Sequence, residues 1–518
     1  MRQTRARWQE ASKIVKLVLQ NLKSESARYE PQRHSTATNL ALLFRVQKEP
    51  EAQQPQHPSS GGSFGAGSAA VVQPAAAARD STAPVAPARL REAQRYMRYA
   101  TAAYGHALMA AFGPAGCARA PSASALLKGS EAIDLEAICR HCGLEEADVI
   151  LHQPHGDEAN GCPGFFIAID KSRETIVLSV RGTASLYDAV VHDLVCVAEP
   201  FAGGEAHAGM ARATVALRQA VMPTLCKLAH EHRGFRVLLT GHSMGGGCAA
   251  LLAVLLHHEA SGGSPPQLQQ TVSSSSSSSH GAASAPPPSS PTARATPGRV
   301  VAVTSGSKGD EEEGGCGPIA LPSETRVNCL TFGSPPVYAP LSSLPASVTH
   351  AISAYKHHQD VVPSLSLAAV RTLLASLRAL DAIPLPPKRR LAIITGHETP
   401  PPELVDAVSL ASSSPNSKDE APSTPFLAVP SSDLITLTRL GDTAPSRGAA
   451  RKYEATASSV ESFVSKGIRL TPSMVTDHSF GFYENAIAGA ILLASGDAEG
   501  GGDREEREPE DDAAAKAV

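Results

Sequence analysis

The sequence predicts an α/β fold, a mostly parallel sheet with helices on both faces, interrupted by long insertions. Three observations carry this expectation. From Phe165 onward, short apolar runs of strand type alternate with helical runs, and such alternation builds parallel sheets covered by helices. A strand-like run at 235–240 passes through Gly241-His242-Ser243-Met244-Gly245 directly into an apolar helical run. Elsewhere, stretches rich in Pro, Ser, Gly and Ala lack the apolar content to bury a core.

Composition narrows the classes of function. The chain has 518 residues, with 40 prolines, 41 glycines and only 4% aromatic residues, so only part of it can form the core. Its 46 basic and 50 acidic residues leave a net charge of −4, without the basic footprint of a nucleic-acid binder. The nine cysteines are odd in number and scattered. Cys139 and Cys142 form the only close pair, with no second pair at zinc spacing, so helix packing is expected there rather than a metal. No cofactor is expected either. The thiols read as reduced and intracellular, in the cytoplasm or peripheral on a membrane, with a plastid location left open. No apolar run reaches the roughly 18–20 residues of a membrane span. The arginine-bearing start lacks the apolar stretch and cleavage site of a secretory signal.

In chain order, residues 5–23 read as an amphipathic helix. Trp8, Ala11, Val15, Val18, Leu19 and Leu22 fall on one face, rimmed by Arg2, Arg5, Arg7, Lys13, Lys16 and Lys23. Such a helix in 1–30 suits a membrane interface; docking on the rest of the chain, or an organellar presequence, are the alternatives. A largely disordered linker is expected over 31–87. Helical spacing resumes at 88 through Leu90, Ala93, Met97, Ala100 and Tyr104 and stops at Gly105. Strands are expected at 165–170 and 175–180 about a charged turn, followed by a helix over 210–232 and the 235–240 strand. A disordered insertion is expected over 261–324. A strand closing on a turn over 327–336 and a strand at 351–355 come next, then a helix carrying Leu367, Val370, Leu374, Leu377 and Leu380 on one side. A second disordered insertion is expected over 399–430, a strand at 434–440, a helix at about 481–494, and an acidic tail over 496–518.

The strand–turn–helix around Ser243 has the form of a nucleophile elbow. Its turn is too tight for side chains two residues either side of the serine, hence Gly241 and Gly245. Gly246 and Gly247 allow the helix to lie close to the sheet. Serine needs a base, and the base a carboxylate to orient it. On α/β-hydrolase sheets the order along the chain is Ser, acid, His. Asp360 lies just past a strand, and His478 lies on a late loop before the last helix. His357, His358 and His397 are other candidate bases, and Asp477 is a rival acid. Developing negative charge needs donors: the Met244 amide heads the elbow helix, and Gly182-Thr183 ends an earlier strand. Arg181 can anchor that loop through an ion pair.

These residues resemble the class 3 (fungal-type) lipases, and within them the sn-1-specific diacylglycerol lipases. The matching pieces are Val180-Arg181-Gly182-Thr183-Ala184-Ser185 with Asp188, Asp193 and Leu194, then 206–210, Gly241-His242-Ser243-Met244-Gly245, 331–336, 360–363 and Asp477-His478. The resemblance spans a domain formed by about 88–260 and 325–495. It implies Ser243, Asp360 and His478 as catalytic residues, Thr183 and Met244 as the oxyanion hole, and a lid contribution from 184–197. Two departures stand out: the membrane spans that precede the catalytic domain of animal diacylglycerol lipases have no counterpart here, and 261–323 interrupts a compact part of the family.

The expected function is therefore hydrolysis of glycerolipid acyl esters, diacylglycerol or triacylglycerol, at a membrane or lipid-droplet surface. The alternatives are a phospholipase A1, a galactolipase or a small-ester esterase, and a catalytically silent lipid-binding scaffold.

Overall fold

A computed structural model of the chain describes residues 33–52, 82–114, 117, 119–157, 160–183, 197–264, 320–413, 425–441 and 452–499. Twelve strands are present among them: β1 Ala83–Pro84, β2 Val149–Gln153, β3 Phe165–Asp170, β4 Thr175–Val180, β5 Ala198–Phe201, β6 Gly204–His207, β7 Arg236–His242, β8 Val327–Phe332, β9 Tyr338–Ala339, β10 Ile352–His357, β11 Asp433–Arg439 and β12 Tyr453–Ser459. Nine of them form one sheet in the order β1-β12-β11-β10-β8-β7-β4-β3-β2. Its centre, β4-β7-β8-β10-β11, is parallel, and both flanks pair antiparallel. β5, β6 and β9 form a small antiparallel sheet beside it.

Strand side chains alternate between two buried layers, as a sheet covered on both faces requires. Phe165, Ile167, Ile169, Ile176, Leu178, Val180, Val237 and Leu239 enter one layer. Their neighbours Phe166, Ala168, Val177 and Leu238 enter the other. The helices Ala208–Glu231 and Met244–Ala260 cover the first face, with every residue from Gly245 to Leu256 buried. Pro87–Ala102 and Phe480–Glu499 cover the second with Tyr96, Met97, Ala100, Tyr483, Ile487 and Ala490. This is the α/β-hydrolase arrangement, and it places the carboxyl ends of β4, β7, β8 and β10 side by side.

Two segments expected to be disordered are ordered in part. Within 31–87, Thr36–Ala52 is a helix whose Leu40, Leu42, Leu43 and Val46 are buried in the first layer. A polar network fixes it: Asn39 donates to Asp381 (3.0 Å), Arg390 donates to Asn39 (3.0 Å), and the amides of Arg33 and His34 donate to Asp381 (2.9 Å each). Within 399–430, Pro402–Ser413 is a helix that buries Leu404 and rests Val405 and Val408 on the same layer. Residues 427–429 are buried as well, and Ala428 bridges to Tyr338. In both cases helical spacing of a few apolar residues outweighs the polar composition around them, because the layer they complete is formed by distant helices. Gly105, expected to stop a helix, instead begins the next one, Gly105–Phe112. The terminal helix runs to Glu499. The amphipathic segment 5–23, the tracts 53–81, 265–319 and 414–424, the tail from 500 and the lid segment 184–196 lie outside the described residues. Among the described residues, no helix is long and apolar enough to cross a membrane.

Candidate active site

β7 delivers the chain to Ser243, which caps the helix Met244–Ala260 with φ 60° and ψ −133°. A left-handed, non-glycine residue of this kind costs about 1–3 kcal/mol and persists only where its surroundings hold it. Here the Ser243 amide donates to the carbonyl of Phe332 at the end of β8 (2.9 Å). A Cβ on Gly241 would lie 2.4 Å from the Gly245 carbonyl carbon, and one on Gly245 would lie 2.2 Å from the Val180 carbonyl oxygen. Both glycines are therefore demanded by close backbone approach, as the motif predicts.

Two strands away, β10 ends at His357 and the following turn presents Asp360. His478 closes a short helical turn, Thr476–His478, just before Phe480–Glu499. The three side chains that the sequence singles out form one chain of contacts. Ser243 Oγ lies 2.8 Å from His478 Nε2, and His478 Nδ1 lies 2.9 Å from Asp360 Oδ2. All three are buried. A carboxylate can only accept, so Nδ1–H donates to Asp360 and Nε2 is left to accept from the Ser243 hydroxyl. Burial pushes the Asp360 carboxyl up. The charge and hydrogen bond of His478, the Tyr483 hydroxyl (2.5 Å) and the Val362 amide (2.9 Å) pull it the other way and prevail, leaving it below the ordinary range.

Two further histidines hold the backbone of this loop, and the motif reading did not single them out for that task. His242 Nε2 lies 2.8 Å from the His478 carbonyl, and His357 Nδ1 lies 2.8 Å from the Asp477 carbonyl. Carbonyls only accept, so both rings donate, which leaves their other nitrogens to accept from Tyr104 (2.9 Å) and Tyr453 (3.4 Å). Burial drives both rings toward the neutral form, His242 down to about 3. The only sequence signal for this was the position of each histidine at a strand end. Gly333, with φ 58°, is also part of the site: a Cβ there would come within 3.1 Å of Tyr483, Asp360 and His478.

The rival residues stand elsewhere. Asp477 is buried rather than on the surface, and accepts from Arg439 (3.0 Å), Ser473 (2.7 Å) and the Gln359 amide (3.3 Å). His358 accepts weakly from the Arg439 amide (3.5 Å), and His397 contacts Thr395 at the surface. Arg181 anchors its loop by donating to the Pro154 carbonyl (2.7 Å), and makes no ion pair among the described residues.

Thr183 follows β4 and meets the elbow, its Oγ1 lying 3.4 Å from Met244 Sδ. Gly182 permits this approach, since a Cβ there would lie 2.5 Å from the His242 carbonyl. The Met244 amide is the first of its helix, where amides have no intrahelical acceptor and the helix dipole is positive. Thr183 and Met244 thus stand together next to Ser243.

Residues 177–276, which contain most of β4, Thr183 and the whole elbow, match the family model described as "Lipase (class 3)". Over this stretch the chain is similar to the class 3 lipases. That match supports a lipase-type ester hydrolase. Among solved structures, the chain is similar to a Rhizomucor miehei lipase propeptide complex, at 14% identity and TM-score 0.38, covering 77% of this chain and 83% of that one. It is also similar to a lipase from Rhizopus microsporus var. chinensis, at 14% identity and TM-score 0.38, covering 79% and 93%. A third similar chain is described as a fungal lipase, at 16% identity and TM-score 0.40, covering 78% and 99%.

Proposed function

We propose that this lipase hydrolyses the acyl esters of a neutral glycerolipid, diacylglycerol or triacylglycerol, through an acyl-enzyme on Ser243. The observation that carries the reading is the continuous contact from Ser243 through His478 to Asp360. His478 Nε2 takes the hydroxyl proton as Ser243 Oγ attacks the ester carbonyl. Asp360, held ionised by His478, Tyr483 and Val362, stabilises the imidazolium that forms. The oxyanion of the tetrahedral intermediate is received by the Met244 amide and by Thr183. His478 then protonates the departing glyceride alkoxide. A water molecule, deprotonated by the same ring, releases the fatty acid and restores Ser243.

Residues 5–23 are proposed to bring the domain to the lipid surface through their apolar stripe and basic rim. The deciding experiment treats purified protein and Ser243→Ala with a fluorophosphonate, then profiles products from mixed glycerolipids. Labelling and turnover that vanish in the variant are expected, since a triad serine typically accounts for on the order of a million-fold of rate. A labelled enzyme that cleaves phospholipids or galactolipids in preference would move the assignment to those substrates. Absence of labelling in the folded wild type would leave the scaffold reading.

A further inference from the structure

The opposite end of the sheet carries a second chemical feature. β3 ends at Asp170, β4 begins at Thr175 and β7 begins at Arg236. The first turns of the helix Pro87–Ala102 lie over these ends. Arg91, Glu92, Arg95, Tyr96, Arg173 and Arg236 enclose a cleft of about 340 Å³ between them.

Two of its four guanidinium groups are held in place. Arg95 donates to both oxygens of the buried Asp170 and to Ser172 (2.8 Å). Arg236 donates to Glu92 (2.6 Å) and Tyr96 (3.3 Å), with its guanidinium 5.6 Å from the Tyr96 ring centroid. The guanidinium groups of Arg91 and Arg173 make no hydrogen bond or ion pair among the described residues. Four positive groups thus face two negative ones, Glu92 and Asp170, which leaves an excess of two positive charges around a small concave space. Like charges gathered in this way repel unless an anion sits between them. Guanidinium forks match the paired oxygens of a phosphate group.

We propose that this cleft is a binding site for a soluble phosphorylated small molecule, with Arg91 and Arg173 gripping its phosphate oxygens and Arg95 and Arg236 completing the cradle. The site is separate from the catalytic one. Ser243 stands seven positions after Arg236 along β7, a span of roughly 23 Å at about 3.3 Å per residue. That same geometry selects a soluble ligand over a membrane headgroup. The serine opens at the carboxyl ends of the strands and the cleft at their amino ends, so one flat bilayer does not serve both.

Inorganic pyrophosphate is the probe, titrated calorimetrically into the full chain near physiological salt. Saturable binding is expected, weakened tenfold or more by Arg91→Ala/Arg173→Ala, with hydrolysis of a short-chain ester unchanged. Arg91→Lys/Arg173→Lys keeps the charge without the fork and is expected to lose most of the same affinity. Non-saturable heats, or equal binding by the alanine double variant, overturn the site. Binding that appears only once 500–518 are removed gives the cleft to the chain's own acidic segment, and the proposal fails. The soluble assignment also falls if vesicles containing phosphatidic acid bind through Arg91 and Arg173 while pyrophosphate does not compete.

Discussion

His242 donates through Nε2 to the main-chain carbonyl of His478, 2.8 Å away. The residue before Ser243 therefore fixes the backbone of His478, and the two rings lie 4.6 Å apart. Such a residue positions and does not react. His242→Gln keeps a donor but shifts its reach, and kcat is expected to fall about tenfold, the equivalent of one hydrogen bond, with KM little changed. Steady-state kinetics on a soluble ester measure the split.

The same ring gives the fold an acid-sensitive point. Burial, together with the neighbouring His478, brings His242 down to about 3, while Asp360 opposes the shift; Tyr104, Phe480 and Tyr483 complete its surroundings. Between that value and the ordinary one near 6.5, the unfolded chain takes up a proton that the folded chain refuses. Stability contributed by this group is thus whole above about pH 6.5 and is lost as pH falls toward 3, by up to about 1.4 kcal/mol per unit. His357 and His358, also lowered by burial, act in the same direction. Denaturant midpoints between pH 4.5 and 7 are expected to fall with acid, and His242→Gln is expected to reduce that slope by about one proton.

Tyr483 donates to the Asp360 oxygen that also faces His478. Tyr483→Phe removes one of the contacts that hold Asp360 ionised against its burial. Hydrogen bonds to charged groups contribute about 1.5–3 kcal/mol, so kcat/KM is expected to drop roughly tenfold to a hundredfold. The acid limb of the pH–rate profile should also rise in pH, because the carboxyl protonates more easily. An unchanged limb would reduce Tyr483 to a packing role.

Gly333 is the third supporting residue. Its φ of 58° disfavours a side chain, and a Cβ would lie 2.8 Å from the Tyr483 hydroxyl, 2.9 Å from Asp360 Oδ2 and 3.1 Å from His478 Cε1. Gly333→Ala must therefore displace the acid–base pair. Displacements of about 1 Å cost on the order of a hundredfold in rate, and the rate of fluorophosphonate labelling should fall in step with turnover.

The elbow, the Ser–acid–His order and the sheet with two buried faces could be read from the sequence because each is a local pattern. Gly241 and Gly245 announce a tight turn, Asp360 follows a strand end, and β3 is a continuous apolar run, as a strand buried on both faces requires. What escaped reading depends on distant partners. Leu40, Leu42, Leu43 and Val46 look like an isolated apolar patch until the helices Leu367–Ala382 and Pro387–Thr395 stand beside them. Leu404 hides in the same way among prolines and serines. Tyr483 and His242 carry no sign in sequence that a carboxylate and a carbonyl 123 and 236 positions away are their partners.

The last prediction concerns access to substrate. Long-chain glycerolipids stay in the bilayer, so a hydrolase reaches them by binding its surface. Residues 5–23 offer Trp8, Val15, Val18, Leu19 and Leu22 on one face with arginines and lysines around it. Each basic residue near an anionic surface contributes about 1 kcal/mol, screened by salt within a Debye length. Removing 1–30 should therefore weaken binding to anionic liposomes and slow long-chain hydrolysis, with the largest loss at low salt. Turnover of a soluble short-chain ester should survive, because Ser243, His478, Asp360 and the helix Thr36–Ala52 are all retained. A segment that docks on the lipase domain would behave otherwise: truncation would lower both activities together through lost stability. Liposome co-sedimentation of both proteins at two salt concentrations, beside the two assays, separates these outcomes. Equal sedimentation with unchanged long-chain turnover would remove the segment from lipid recognition altogether.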